Sequence, residues 1–377
     1  MPQSKLTSIS LFTGAGGLDL GAERAGYSTV YAVEHDPVAV ATLNLNRAQY
    51  FPDLPEVRPR DITQLQAEQA LAETRINSGD VDLLIGGPPC VAFSKSGFHL
   101  EYKRKGLDPR AGLLNDYVRF LQAIRPRAFI MENVFGLAYR NQSAPAFKAL
   151  AVCVNRLGYS LTYKVLNASD YGVPQNRQRL FVLGARDGRI LHHPAPTHWG
   201  EHERRARPAS AAHLLPHVTA GQVLAGLQTE REPQEQVNGK YGHLLPGIPP
   251  GGNYLHYTEH EGHPDPIFRW RSRYWTFLLK LDPDRPASTI QAQPGPYVGP
   301  FHWDNRRLRV PELKRLQGFP DGYQFAGSRR EIQVQIGNSV PPQLAYVVAD
   351  SVRRQMLGED TDTATYEPIQ AALPLPA

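Results

Sequence analysis

Cysteine is nearly missing from this chain of 377 residues, which has only Cys90 and Cys153. Two thiols supply no disulfide framework, and no CxxC pair exists to open a zinc site. Cys153 lies in the apolar helical run Ala151-Val152-Cys153-Val154, so a reducing, intracellular setting is expected. Long apolar runs are also lacking. No stretch approaches the roughly 20 residues of a membrane span, and Met1-Pro2-Gln3-Ser4-Lys5 carries no apolar signal region. A cytoplasmic protein with no membrane partner is therefore expected. Metal-binding patterns are poor as well: ten of the 13 histidines fall between His192 and His263, but His256, His260 and His263 have neither a helix to support their spacing nor matching cysteines. No metal is expected.

The chain does carry charge of one sign in clusters. A net charge of +5 is modest, but basic residues gather at Lys103-Arg104-Lys105, Arg177-Gln178-Arg179, Arg204-Arg205-Ala206-Arg207, Arg269-Trp270-Arg271-Ser272-Arg273 and Arg306-Arg307-Leu308-Arg309. Aromatic residues are interleaved with several of them, a pattern suited to a polyanionic partner.

One stretch stands out for chemistry. The apolar run Val81-Asp82-Leu83-Leu84-Ile85 reads as a buried parallel strand, and Gly86-Gly87-Pro88-Pro89 stops it just before Cys90. The cysteine is thus placed on a loop at the strand's carboxyl end, where open α/β sheets bind ligands. By itself such a cysteine is more often a small residue packed in a turn.

Other segments have the same logic. Leu6 to Phe12 alternates as a strand, Thr13-Gly14-Ala15-Gly16-Gly17 follows as a glycine loop, and a helical pattern starts at Leu18. Glycines there permit close approach to a cofactor, or simply pack strand against helix. Asp19 stands where a dinucleotide fingerprint would have its third glycine, which disfavours a nicotinamide oxidoreductase. A second strand, Ser28 to Val33, ends at Glu34-His35-Asp36-Pro37, where Glu34 is placed either to accept from ribose hydroxyls or to cap the next helix. Asp61 has a similar pair of readings, cofactor base or helix cap. A strand at Ala128 to Met131 carries Glu132-Asn133-Val134 at its carboxyl end, and further strands are predicted at Tyr159 to Leu166 and Leu180 to Leu183. From Leu191 to about Asp284 the chain turns irregular and rich in Pro, Gly, His and Arg. Helices are predicted at Leu113 to Ile124, Pro311 to Gln317 and Gln343 to Met356, and residues 358–377 read as a disordered tail.

In order, Phe12-Thr13-Gly14-Ala15-Gly16-Gly17, Glu34, Asp61-Ile62, Gly87-Pro88-Pro89-Cys90, Glu132-Asn133-Val134, Gln175-x-Arg177-x-Arg179, Arg285-Pro286-Ala287-Ser288-Thr289 and Gly337-Asn338-Ser339-Val340-Pro341-Pro342 resemble the cytosine-5 DNA methyltransferases of bacterial restriction-modification type. The resemblance spans nearly the whole chain outside residues 191–284 and the tail. It implies a Rossmann-like class I S-adenosylmethionine-dependent methyltransferase domain with a mostly parallel sheet (residues 1–190), a smaller target-recognition domain with hinge (191–324), a C-terminal return (325–357) and the tail. It further implies that Cys90 attacks carbon 6 of a flipped-out cytosine, that Glu132 serves its N3 edge, and that Arg179, supported by Arg177, binds O2. S-adenosylmethionine would be held by Phe12, Gly14, Gly16, Gly17, Glu34, His35, Asp61, Ile62, Pro89, Leu113, Asn338 and Ser339. Duplex DNA would be contacted by Ser94, Lys103, Arg104, Lys105, Arg269, Arg271 and Arg273. A monomer, paired in function with a cognate restriction endonuclease, is the expectation, and motifs starting near residue 7 leave no room for a long regulatory N-terminal region. The chain departs from the family pattern at Val91-Ala92, where glutamine often follows the cysteine. An RNA cytosine methyltransferase would show Cys-Phe-Thr there, and a catalytically silent paralogue would have lost Cys90, Glu132 or Arg179.

Overall fold

Hydrophobic alternation in Leu6–Leu11 (β1) sets the layers: Ile9 and Leu11 join one core, and Ser8 and Ser10 face the other way. The computed structural model describes residues 5–89, 112–139, 144–200, 213–271 and 274–359. After β1 come Gly17–Arg24 (α1), Tyr27–Val33 (β2), Pro37–Tyr50 (α2), Ala67–Thr74 (α3), Leu83–Gly86 (β3), Leu113–Ile124 (α4), Ala128–Val134 (β4), Ala144–Arg156 (α5), Thr162–Asn167 (β5) and Gln178–Ala185 (β6). The C-terminal part contributes Val310–Gln317 (α6), Arg329–Asn338 (α7) and Pro342–Leu357 (α8).

The six strands form one sheet in the order β2-β1-β3-β4-β6-β5. Pairs β1–β2, β1–β3 and β3–β4 are parallel, whereas β6 runs antiparallel to both β4 and β5. Five strands therefore point one way, and the mostly parallel α/β sheet expected from sequence is present. Because the chain passes from β1 out to β2 and returns to β3 on the other side, the switch point lies between β1 and β3. A crevice opens there at the carboxyl ends, bounded by the glycine loop and the Pro-Pro turn.

Two cores sandwich the sheet. On one face Tyr117, Phe120 and Leu121 of α4 and Phe147 and Leu150 of α5 pack with Ile9, Leu84 and Phe129; on the other, Leu18 and Ala22 of α1 and Leu344, Val347 and Val348 of α8 pack with Leu83, Ile85 and Ile130. α1 and α8 lie close because Gly21 has no Cβ: one would overlap Ala345 and the Tyr346 backbone. The helices run side by side in the same direction, with Gly17 against Val340 and Gly26 beside Arg353. At their far end Leu6 and Met356 pack on the same core.

The irregular region has its own small core of Val237, Leu244, Leu245, Ile248, Tyr254, Tyr257, Leu278 and Phe301. Phe319 and Tyr323, within the expected hinge, pack on Leu20 of α1 and Val40 and Leu43 of α2. α7 was not expected from sequence; its start is a capping box in which Ser328 accepts from Glu331 N–H and the Glu331 carboxylate accepts from Ser328 N–H.

Candidate active site

Glycine governs the left wall of the crevice. Gly14 (φ 57°) and Gly16 (φ 76°) hold left-handed conformations that suit glycine. A Cβ on Gly16 would press on Leu43, Phe51 and Tyr323, and one on Gly17 would overlap the Val340 carbonyl, but one on Gly14 would meet nothing within 4 Å. Gly14 thus borders open space while its neighbours are packed from behind. Phe12 itself takes φ 55°, a costly conformation for a bulky side chain that ends β1 one residue earlier than the sequence pattern predicts.

Glu34 follows β2 and is 7% exposed. Its Oε2 accepts from Gly14 N–H at 2.7 Å, and its Oε1 accepts from His35 and Asp36 N–H at 2.8 Å each. Burial would push this carboxyl up, but hydrogen bonds from the His35 ring and from the Asp36 and Gly14 N–H groups outweigh it and hold the pKa below the usual value. The His35 ring, largely exposed, is raised by its bond to Glu34. Asp61 is exposed and accepts from the N–H and hydroxyl of Thr63 in a local turn, while the next helix, α3, has Gln66 at its N-cap, so Asp61 does not cap it. Ile62 is buried, and Leu113 and Phe12 are partly buried against the same core. Ser339 is buried, its hydroxyl donating to Gln335 O at 2.7 Å, while Asn338 is exposed at the end of α7. Since Ser339 and Val340 abut Gly17, the last segment of the fold closes onto the first loop.

The right wall is carboxylate and guanidinium. Glu132 lies inside β4, which continues to Val134 rather than stopping at Met131, and it faces Phe181 of β6 in register. Its Oε1 pairs with Arg179 Nε at 2.9 Å, both side chains being largely buried. Burial raises the Glu132 pKa, with Arg179 and then Arg177 opposing the rise. A Cβ on Gly87 would come within 3.1 Å of Glu132 Oε2, so this second carboxylate oxygen borders the turn that leads to Cys90. Asn133 Nδ2 donates to Pro88 O at 2.9 Å and ties that turn to β4.

Arg177, expected to support Arg179, is held on the C-terminal segment. Its guanidinium is fully buried and donates to the carbonyls of Ile290 (3.2 Å), Gly337 (2.5 Å) and Ser339 (3.1 Å). It binds the C-terminal segment, and its field opposes the rise of the Glu132 pKa. Gln175 and Gln317 extend this frame: Gln175 donates to Leu316 O and to Gln317, accepts from Ile290 N–H, and Gln317 donates to Ser339 O. Tyr323 Oη donates to Ala15 O at 2.7 Å. Gln317 and Tyr323 carry no sequence signal of their own, because each acts through a partner more than 20 residues away or through backbone.

Cys90, Ser94, Lys103, Arg104, Lys105 and Arg273 lie outside the described residues; Pro89 is the last described residue of the turn. Arg269 and Arg271 are exposed, far along the chain from the crevice residues. Of the basic clusters, that at 306–309 is engaged internally: Arg306 pairs with Glu312 at 2.7 Å and Arg309 with Glu235 at 2.6 Å. Among the described residues no group of His, Cys, Asp or Glu is arranged to hold a metal ion, and no helix is long and apolar enough to cross a membrane.

Known proteins of similar sequence and shape agree with this architecture. The type II methyltransferase M.SacI of Streptomyces achromogenes is 43% identical over 389 aligned residues, covering 97% of each chain. M1.HphI of Haemophilus parahaemolyticus, also a type II methyltransferase, is 34% identical, with 94% of this chain and 88% of that one covered. Among solved structures, S. pombe Dnmt2 methyltransferase superposes with a TM-score of 0.60 at 17% identity over 94% of this chain and 99% of its own, a likeness of fold. The sequence model of the C-5 cytosine-specific DNA methylases matches residues 6–354. By that match and by its relatives, the chain belongs to the C-5 cytosine-specific DNA methylase family and is a DNA cytosine-5 methyltransferase.

Proposed function

We propose that this enzyme methylates carbon 5 of a cytosine flipped out of a short, specific duplex site, through a covalent adduct with Cys90, and that it protects DNA in a restriction-modification system. The supporting observation is the buried Glu132–Arg179 pair at 2.9 Å, with the other Glu132 oxygen beside Gly87 and thus beside the turn leading to Cys90. Carbon 5 of cytosine is a weak nucleophile. Addition of the Cys90 thiolate to carbon 6 makes the ring an enamine, and the negative charge that develops is met at N3 by a proton shared from Glu132. Burial raises this carboxyl above its ordinary pKa, which favours its sharing a proton. Arg179 keeps Glu132 oriented and binds O2. Loss of the hydrogen at carbon 5 to a base then allows the Cys90–carbon 6 bond to break.

S-adenosylmethionine, which family and fold imply, supplies the methyl group as an electrophilic sulfonium. The crevice suits it: Gly14 leaves open space over the loop, Glu34 keeps lone pairs for ribose hydroxyls, and Phe12 and His35 offer rings beside it. Asp61, Ile62, Pro89, Leu113, Asn338 and Ser339 complete the pocket, with Gly16 and Gly17 shaping its floor. Residues 191–324 serve as target-recognition domain and hinge, and Lys103, Arg104 and Lys105 with Ser94 close on the DNA. The type II names of the relatives support the restriction-modification setting. An RNA substrate or a silent regulatory role has no such support.

Expression in a methylation-free host followed by bisulfite sequencing tests the proposal. Wild type should leave a single short motif methylated, and Cys90→Ala none. Unmodified DNA from wild type, or equal modification by the variant, overturns it. Trapping on 5-fluorocytosine duplex should require Cys90.

A further inference from the structure

The Glu34 carboxylate is already crowded before any diol reaches it. Among the described residues, Gly14 N–H donates to its Oε2 at 2.7 Å, while its Oε1 accepts from His35 and Asp36 N–H at 2.8 Å each and from the His35 ring, whose Nδ1 lies at 3.0 Å. A carboxylate offers about four lone-pair positions, two on each oxygen. Oε1 is therefore saturated, and Oε2 has room for one more donor. A ribose diol brings two hydroxyls, so one of the present donors has to give way.

The backbone donors are fixed. Thr13 N–H donates to Val33 O at 3.2 Å, Arg60 N–H to Glu34 O at 2.7 Å and Val38 N–H to Asp36 Oδ1 at 2.9 Å, so the turn that carries them is pinned from the glycine loop, from the segment before α3 and from α2. The His35 ring is different. Its side chain is 79% exposed, against 8% for that of Glu34, and rotation about its side-chain torsions frees Oε1 without moving the main chain.

We propose that the His35 ring is a latch on the cofactor's ribose site: it occupies Glu34 Oε1 in the free enzyme, the ribose diol displaces it, and binding is coupled to release of the ring's proton to solvent. The inference rests on the reading of Glu34 as the ribose acceptor. Charge sets the direction of the coupling. The hydrogen bond to Glu34 favours the imidazolium most, partial burial opposes it, and the charges of Glu34, Asp36 on the same turn and Asp61 after α2 add to the rise in its pKa. A ring that leaves Glu34 gives up the largest of these contributions and holds its proton less tightly. Below the raised pKa the diol has to break a charged pair, and above it only a neutral donor's bond. Cofactor affinity should thus climb with pH.

Calorimetric titration of the full chain with S-adenosylhomocysteine between about pH 5.5 and 8.5 tests this on wild type and on His35→Phe, which keeps a ring but neither donates nor titrates. Glu34, held below the usual carboxylate range, stays ionised throughout, but Asp19, pushed up to about 7, titrates in both proteins. The difference between the two proteins is therefore the diagnostic quantity. From the top of that range to the bottom, the wild-type Kd should weaken about threefold or more beyond any change in His35→Phe. At neutral pH, titrations in phosphate and in Tris should show wild type releasing more protons on binding than the variant. Equal pH slopes, or no extra proton release, overturn the proposal. Should His35→Phe fail to fold, His35→Gln, which donates without titrating, takes its place with the same expected slope. Failure of wild type to bind at every pH would instead sink the reading of the crevice as the cofactor site.

Discussion

Asn133 and Glu132, adjacent on β4, reach the same turn from two directions: Asn133 donates to Pro88 O, and Glu132 Oε2 lies where a side chain on Gly87 would touch it. The residue after the proposed proton donor thus helps fix the turn that leads to the proposed nucleophile. Asn133→Ala should lower kcat at least tenfold with little change in cofactor affinity, because a 1 Å drift of a reacting group is costly. Single-turnover methylation with a parallel cofactor titration checks this; weakened cofactor binding with normal turnover would contradict it.

Arg177 and Arg179 should separate cleanly. Arg177→Ala removes the buried donor to the Ile290 and Gly337 carbonyls and one of two donors to Ser339 O, and should cost about 3 kcal/mol or more in stability, seen as a large fall in Tm. Arg179→Ala should leave Tm less affected but reduce kcat by about a hundredfold or more. The reverse pattern would exchange their roles.

Glycines 14 and 21 make a second contrast. Gly21→Ala forces α1 from α8 and should destabilise by about 1–3 kcal/mol without altering cofactor affinity in the protein that remains folded. Gly14→Ala has room for its methyl but sits at φ 57°, so the strain is about 1–2 kcal/mol, and the methyl enters the proposed pocket. Calorimetric titration with S-adenosylhomocysteine should show weakened binding for Gly14→Ala alone.

Asp19 predicts a pH effect. Both its oxygens are buried and without a hydrogen-bond partner, and burial raises its pKa from 3.8 to about 7, with nearby Ser10 easing the charge only in part. A carboxyl raised on folding contributes fully below its unfolded pKa, and the contribution is lost as pH climbs through the folded one. Wild type should therefore lose up to a few kcal/mol between pH 4 and 8 relative to Asp19→Asn, which stays neutral. Urea melts of both proteins across that range decide it; parallel curves would show that Asp19 is charged in the fold.

The parts legible in sequence were those with short-range causes. Strands β1 and β3, helix α4 and the glycine loop follow from periodicity and turn chemistry within a few residues, and Glu132 could be placed on the crevice because it follows an apolar run. Arg177 could not be separated from Arg179, since period two puts both on one face of an ideal strand; the short pairing of Gln175–Asn176 with Ala287–Ser288 interrupts that strand and sends Arg177 toward residues more than 100 positions away. α7 was hidden because its sequence is polar and its identity rests on a cap. The basic run at 306–309 looked like a nucleic-acid surface because its carboxylate partners, Glu235 and Glu312, lie elsewhere in the chain or across a turn.

The side-by-side course of α1 and α8 bears on how the gene could be rearranged. It brings the first strand and the last helix of the fold to one end of the sheet, with Leu6 and Met356 on a common core. A short flexible linker could span that end. A circular permutant with new termini in an exposed turn of the 191–284 region should then fold and bind cofactor, since the glycine loop and the Ser339–Val340 segment would meet regardless of which is synthesised first.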